Sequence, residues 1–187
     1  MRPGVFCAVL CLLHAAPDKA PAMENWPMPP PPGFVDFCHA AFGECVRSKI
    51  TVGNLGIPDR SARRKLRAVN RYVNAAIRPL PEEQNAGDDH WTLPLSAGAD
   101  PAGDCEDYAL EKRHLLLQEG WPSSDLRLAV VLVPSVGLHT VLIANYGRSE
   151  VVLDNLNPEL KRVSQTPYQL VSIQSRTDDL LWYRAAN

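Results

Sequence analysis

Three residue types that together can cut or transfer an acyl group occur in this 187-residue chain in the order Cys105, His139, Asp154. A thiolate attacks a carbonyl carbon, an imidazole takes up the thiol proton and returns it to the leaving group, and a carboxylate fixes the imidazole's tautomer and steadies its cationic form. Cys105 follows Gly103-Asp104 and precedes Glu106-Asp107-Tyr108-Ala109-Leu110. A glycine turn, an acidic cap and then Tyr108, Leu110, Leu115, Leu116 and Leu117 predict a buried helix that begins at the sulfur. Free N–H groups and the positive dipole end at a helix start favour a thiolate. The acidic neighbours Asp104 and Glu106 oppose it unless a cation neutralises them. Taken singly, Cys105 is equally a small buried residue under a helix start, His139 a strand histidine and Asp154-Asn155 a turn pair. Their joint order is what points to chemistry.

The elements that must bring these residues together can be read on either side. Segment 59–77 predicts a helix: Asp59 and Ser61 start it, Leu66, Val69, Tyr72, Val73, Ala76 and Ile77 recur at helical spacing, and Pro79 and Pro81 stop it. Its cations Arg63, Arg64, Lys65, Arg67 and Arg71 lie mostly off that stripe and read as a solvated face. A polar loop at 82–102 follows, long for a compact domain. Its Trp91 is either an anchor or a wall of a cleft. Gly120-Trp121-Pro122 ends the central helix, after which β-rich runs occur at 126–133 and 137–146, with a hairpin return at 150–153. Shorter strands are expected at 160–163, 170–173 and 181–184. Helices followed by an antiparallel sheet give an α+β domain. Counting outward from Gly147-Arg148, His139 and Asp154 fall eight before and six after the turn, close enough across an antiparallel pair for the carboxylate to hold the imidazole.

The ends and the bulk composition narrow the function. Arg2, an apolar run at 5–13 and the small residues Ala15 and Ala16, with a second exit at Ala20, read as a secretory signal over 1–20. Segment 21–32 is a proline-rich linker or arm, expected to lack regular structure. Residues 33–187 form one domain, opening with a tied-down loop or helical turn at 33–45. The net charge of −2, with no basic block beyond 60–71, argues against nucleic acid. No run of about 18 apolar residues exists, so no membrane span is expected once the signal is removed. Cys7 and Cys11 leave with the signal, and Cys105 is then the odd thiol beside Cys38 and Cys45. Those two, seven apart, either close a local disulfide in an oxidising compartment or join His39 in a zinc site whose fourth ligand is not evident.

The segments Gly103-Asp104-Cys105-Glu106-Asp107-Tyr108-Ala109, Leu138-His139-Thr140-Val141-Leu142 and Val152-Leu153-Asp154-Asn155-Leu156 resemble the bacterial transglutaminase-like cysteine proteinases, the family of the LapG-type periplasmic proteases. The resemblance runs from about 33 to 175. It implies a papain-like, transglutaminase-like core with Cys105 as nucleophile, His139 as general base and acid, and Asp154 as orienting carboxylate. It also implies calcium held by Asp104 and Glu106, with Asp107 a third candidate. Hard carboxylate oxygens suit that ion, although helix capping accounts for Asp104 and Glu106 equally well. The partners it implies are a protein or peptide substrate, cell-surface proteins included, and an inhibitory membrane receptor. The chain is short and shows no large accessory region, which argues against expecting the adhesin-cleaving role of the best-known branch. The expected function is an exported, calcium-dependent cysteine endopeptidase. The same triad also serves an acyl transferase or amidohydrolase, and a peptide-binding module that does not cut is the reading from another class.

Overall fold

The computed structural model describes residues 26–45, 59–80, 89–96, 98, 100–147 and 149–185. The expected signal, residues 21–25 of the arm and residues 82–88 of the loop lie outside them. Helices α1 (Pro32–Ala40), α2 (Asp59–Ala76) and α3 (Cys105–Gln118) precede most of the sheet. Its strands are β1 (Trp26–Met28), β4 (Leu126–Val133), β5 (Gly137–Tyr146), β6 (Ser149–Leu153), β7 (Gln169–Gln174) and β8 (Trp182–Arg184). They lie in the order β1-β8-β7-β4-β5-β6 with every neighbour antiparallel. This is the α+β arrangement expected, helices packed on an antiparallel sheet.

Alternation along the strands sorts their side chains between two clusters. Leu126 and Leu128 of β4 and Leu142 and Ala144 of β5 join the helices through Leu66, Val73, Tyr108, Leu110 and Leu116. Ala129, Val131, Val141, Ile143, Val152 and Ile173 form a second cluster on the alternate positions, covered by Val163, Tyr168 and Leu170. Both sets are buried, which is why these strands read as nearly continuous apolar runs.

Two expectations are corrected. Trp26–Met28, inside the proline-rich arm, is a strand paired with β8. It lies at the sheet edge, where a proline's missing N–H costs no ladder bond. Segment 160–163 is no strand: a single bridge joins Lys161 to Val152, and a 3-10 turn follows at Val163–Gln165.

Other contacts fix the start of α3. β2 (Arg78–Pro79) and β3 (Ala102–Gly103) form a short parallel pair joining the end of α2 to the residues before Asp104. The Leu80 amide donates to Gly103 O at 2.9 Å, and Tyr108 Oη donates to Ile77 O at 2.6 Å. Cys38 and Cys45 are disulfide-bonded, their Cα atoms 5.6 Å apart, so their sulfurs are unavailable to zinc.

Candidate active site

The first turn of α3 is tied down by one carboxylate. Asp107 Oδ1 accepts from the Thr92 amide at 2.7 Å and the Thr92 hydroxyl at 2.9 Å, while Oδ2 accepts from the Asp104 amide at 3.3 Å. A Cβ on Gly103 would meet Asp107 Oδ2 at 2.5 Å, so the glycine preceding the cap is what lets this carboxylate pack there. Trp91, 5% exposed, donates to Asp89 Oδ1 at 2.8 Å and packs edge-on against Phe34 at 5.5 Å. Trp91 is therefore an anchor in the core and not a cleft wall.

The sheet end receives the sulfur. The β5–β6 register runs out at Leu142↔Leu153, leaving the edge of β5 beyond Leu142 to be met by something other than β6. There the Thr140 amide donates to Cys105 Sγ at 3.4 Å. His139 is the next residue along the strand. Its Nε2 lies 2.9 Å from Asp154 Oδ1, both side chains being about 4% exposed or less. The structure thus bonds His139 to Asp154 and sets Cys105 Sγ on the backbone amide next to His139.

Their electrostatics depart from the simplest expectation. The Cys105 thiol is pushed well above its ordinary range, first by burial and then by the charge of Glu106, whose Oε2 accepts the S–H at 2.6 Å. The Thr140 amide pulls the other way but is outweighed. Burial also raises Glu106, to about 7, and Asp107, to about 6. The favourable field of a helix start is therefore overruled here by desolvation and by adjoining carboxylates. Asp154 goes the other way: burial opposes its charge, yet bonds from His139, Tyr168 and the Leu156 amide prevail and hold it below the usual carboxylate range. Lys112, further along α3, is 1% exposed, and burial pushes its ammonium down to about 7 against the pull of Asp154.

As to a cation, the first turn offers hard oxygen donors, and burial beside Asp104 leaves Glu106 reluctant to carry its charge, which suits a divalent ion. Asp107 does not fit, because both its oxygens are engaged by Thr92 and Asp104. Among the described residues, no three His, Cys, Asp or Glu side chains converge as a metal cluster. A site built on Asp104 and Glu106 must draw its remaining donors from carbonyls or water.

Three contacts to Asp154 were not anticipated. Tyr168 Oη donates to Oδ2 at 2.5 Å, the Leu156 amide to Oδ1 at 2.9 Å, and Asn74 Nδ2 to the backbone carbonyl at 2.8 Å. Tyr168 was hidden by a register shift. On β4 the step from Val130 to Val131 is one residue, while on β7 the partners are Ser172 and Leu170. Val171 is the extra residue of a bulge, and bulges re-aim the side chains beyond them. Ile173 and Leu170, three apart, consequently share the cluster on which Tyr168 also packs. Strict alternation would have sent Leu170 and Tyr168 to the opposite face. The visible signal was only an aromatic beside a strand.

Comparison with known proteins gives the family and the fold. The family model for the bacterial transglutaminase-like cysteine proteinases (BTLCP) matches residues 25–187. The fold is similar to that of calcium-bound Legionella pneumophila LapG, with a TM-score of 0.56, 27% identity, and 67% of this chain and 72% of that one covered. It is similar also to the EGTA-treated form of that protein, at TM-score 0.56, 25% identity and coverage of 67% and 68%. A third Legionella pneumophila LapG structure gives TM-score 0.56, 27% identity and coverage of 65% and 67%. No curated protein sequence matches significantly. A cysteine beneath a strand amide, a histidine bound to an aspartate on the adjoining strands and a family match over nearly the whole chain lead to one conclusion: this is a cysteine peptidase belonging to the bacterial transglutaminase-like cysteine proteinases.

Proposed function

We propose that the protein is an exported, calcium-dependent cysteine endopeptidase that cleaves a protein substrate through a Cys105–His139–Asp154 triad. The observation that carries this reading is the Thr140 amide on Cys105 Sγ, one residue from an imidazole already bonded to Asp154. With Nε2 engaged by Asp154, Nδ1 is the ring nitrogen that exchanges the proton. Cys105 gives its proton to His139 and adds to the scissile carbonyl. The oxyanion is held in part by the Cys105 backbone N–H at the helix start. Collapse expels the amine, which takes the proton from His139, and leaves an acyl-enzyme. A water then gives its proton to His139 and adds to the thioester, the C–S bond breaks to release the carboxylic acid product, and the Cys105 sulfur takes the proton back from His139.

The Glu106 carboxylate competes with His139 for the thiol proton, because the S–H is directed at it. Asp104 and Glu106 would hold calcium, whose charge, when bound, offsets the local anions. The Legionella pneumophila LapG structures named calcium-bound and EGTA-treated support calcium as the ion. The Cys38–Cys45 bond supports an oxidising compartment, and no helix among the described residues is long and apolar enough to cross a membrane.

The decisive experiment maps new protein N-termini in cells carrying wild-type protein against Cys105→Ala. Termini present only with the wild type identify the substrate and its cleaved bond; identical sets of termini would refute the endopeptidase. A peptide spanning that bond then gives kcat and KM, and incorporation of an added primary amine instead of water would reassign the enzyme as an acyl transferase. EGTA is expected to lower both turnover and Tm, with calcium restoring both. Unchanged values in each would remove the metal.

A further inference from the structure

We propose that Tyr168 is a positioning residue of the triad, its phenol pinning the Asp154 carboxylate so that His139 is held in one orientation. This rests on the triad reading above and extends it to a fourth side chain.

Asp154 has two oxygens and three donors: Oδ1 takes His139 Nε2 and the Leu156 amide, and Oδ2 takes Tyr168 Oη. Turning the carboxylate about its Cβ–Cγ bond carries both oxygens, so the two bonds on Oδ1 resist that turn from one side only. A donor on the second oxygen fixes the plane, and with it the imidazole bonded to the first. The tyrosine ring also stands edge-on to the His139 ring, centroids 6.4 Å apart and planes at 72°. One side chain therefore touches both the carboxylate and the imidazole.

The chain takes particular trouble to deliver this residue. The Val171 bulge puts Tyr168 on the face of β4 and β5 that carries Val131 and Val141. Just before it, Thr166 Oγ1 donates to Val163 O at 2.7 Å and accepts from the Tyr168 amide at 3.4 Å, bracing the approach to the tyrosine. Burial and the charge of Asp154 raise the phenol far above its ordinary range, so it stays a donor across the working pH.

A buried tyrosine whose hydroxyl merely finds a partner would have the same contacts, so the test must separate the two roles. Among the described residues, the titratable groups that bear on the pair are Lys112 of α3, whose ammonium feels Asp154, Tyr168 itself, and Cys105, whose Sγ meets the amide next to His139. In Tyr168→Phe the ring stays and only the O–H goes. Asp154 then keeps more of its charge for the imidazole, and His139, followed by NMR in a Cys105→Ala background, is expected to lose its proton about half a pH unit higher or more, as one lost hydrogen bond implies. This measurement needs no turnover, so it decides on Tyr168 even should the endopeptidase reading fail. On the mapped peptide, kcat is expected to fall about tenfold with KM held, as for an interaction made in the transition state. Replacing Tyr168 by 3-fluorotyrosine, which keeps the donor, is expected to restore kcat to within about twofold, on the same reasoning. An unmoved His139 titration with unchanged kcat would overturn the proposal, as would a rise in KM alone or a kcat loss that only tracks a lowered Tm. Should Tyr168→Phe not fold, fluorotyrosine remains decisive: a stronger donor must displace the His139 titration downward, and no displacement overturns it.

Discussion

The helices α2 and α3 lie side by side against the sheet and differ in whether they bury charge. On α2 the buried residues Ala62, Leu66, Val69 and Val73 form a stripe, and Arg60, Arg64, Lys65 and Arg71 are exposed. On α3 the charged residues Asp107, Glu111, Lys112 and Arg113 are all buried. Apolar contact is non-directional and tolerates small slides, whereas a buried carboxylate or guanidinium is stable only where its partners stand. Asp107 meets Thr92, Glu111 Oε2 accepts from the Leu95 amide at 3.2 Å, and Arg113 reaches Glu44 O at 2.7 Å and Asp179 Oδ2 at 2.7 Å. The helix that carries the sulfur is thus fixed in rotation and along its axis by buried charges, while α2 adds to its apolar stripe neutral side-chain ties, from Asn70 to Pro158 O at 3.2 Å and from Asn74 to Asp154 O at 2.8 Å, neither of which reaches α3.

The largest expected effect follows from breaking the strongest of those directional ties. The Arg113–Asp179 pair is 1% and 3% exposed, and removing one partner of such a pair costs roughly 3–5 kcal/mol. Arg113→Met is expected to lose that much in urea unfolding and to slow Cys105 alkylation by iodoacetamide. Asp179→Leu added to it should recover most of the stability but not the reactivity, because the apolar pair no longer indexes α3. On α2 the matching lesion is Leu66→Ala, expected to cost roughly 2–5 kcal/mol through the cavity it leaves. It should leave Cys105 alkylation of the folded protein within about twofold, since non-directional packing does not set the register of α3.

Lys112 separates the two helices by pH. Its folded value of about 7 lies below the 10.5 of the free side chain, so between these limits the unfolded chain holds a proton that the native chain lacks. Wild-type stability should rise with pH across that window, and the cost of the buried charge is complete below about pH 7. Lys112→Met is expected to be more stable than wild type by roughly 1–4 kcal/mol at pH 6, the range seen when buried charges give way to apolar groups. The difference should shrink towards pH 10. A difference that stayed constant from pH 6 to pH 10 would mean that Lys112 does not titrate in this range.

This difference also bears on what could be read from the chain. The stripe of α2 was legible from its period at Leu66, Val69, Val73 and Ile77, although Tyr72, read as part of it, is 57% exposed. His139 and Asp154 were legible because a hairpin is a local object, and counting from its turn sufficed. The seating of α3 was not, since the Arg113 partners lie 69 and 66 positions away and one of them is a backbone carbonyl, which no side-chain pattern marks. Tyr168 escaped because one bulged residue reverses facing, and of the influences that raise the thiol the adjoining carboxylates were legible while its burial was not.

The smallest effect tests whether any of the seating comes from the solvent side. Lys65 of α2 reaches Glu119, just past the end of α3, at 2.9 Å, with the two side chains 49% and 38% exposed. Such a pair holds two long side chains in water for a small Coulomb gain, and is worth roughly 0.5 kcal/mol or less. Lys65→Ala should therefore shift unfolding by no more than that, and the residue should vanish at about 0.5 M salt, where the screening length falls to a few ångströms. Cys105 alkylation should not change, because the start of α3 is indexed from within by Asp107 and Tyr108. A loss above about 1 kcal/mol with slower alkylation would show that α2 steers its neighbour through exposed charge, and that the buried charges of α3 do not by themselves set its place.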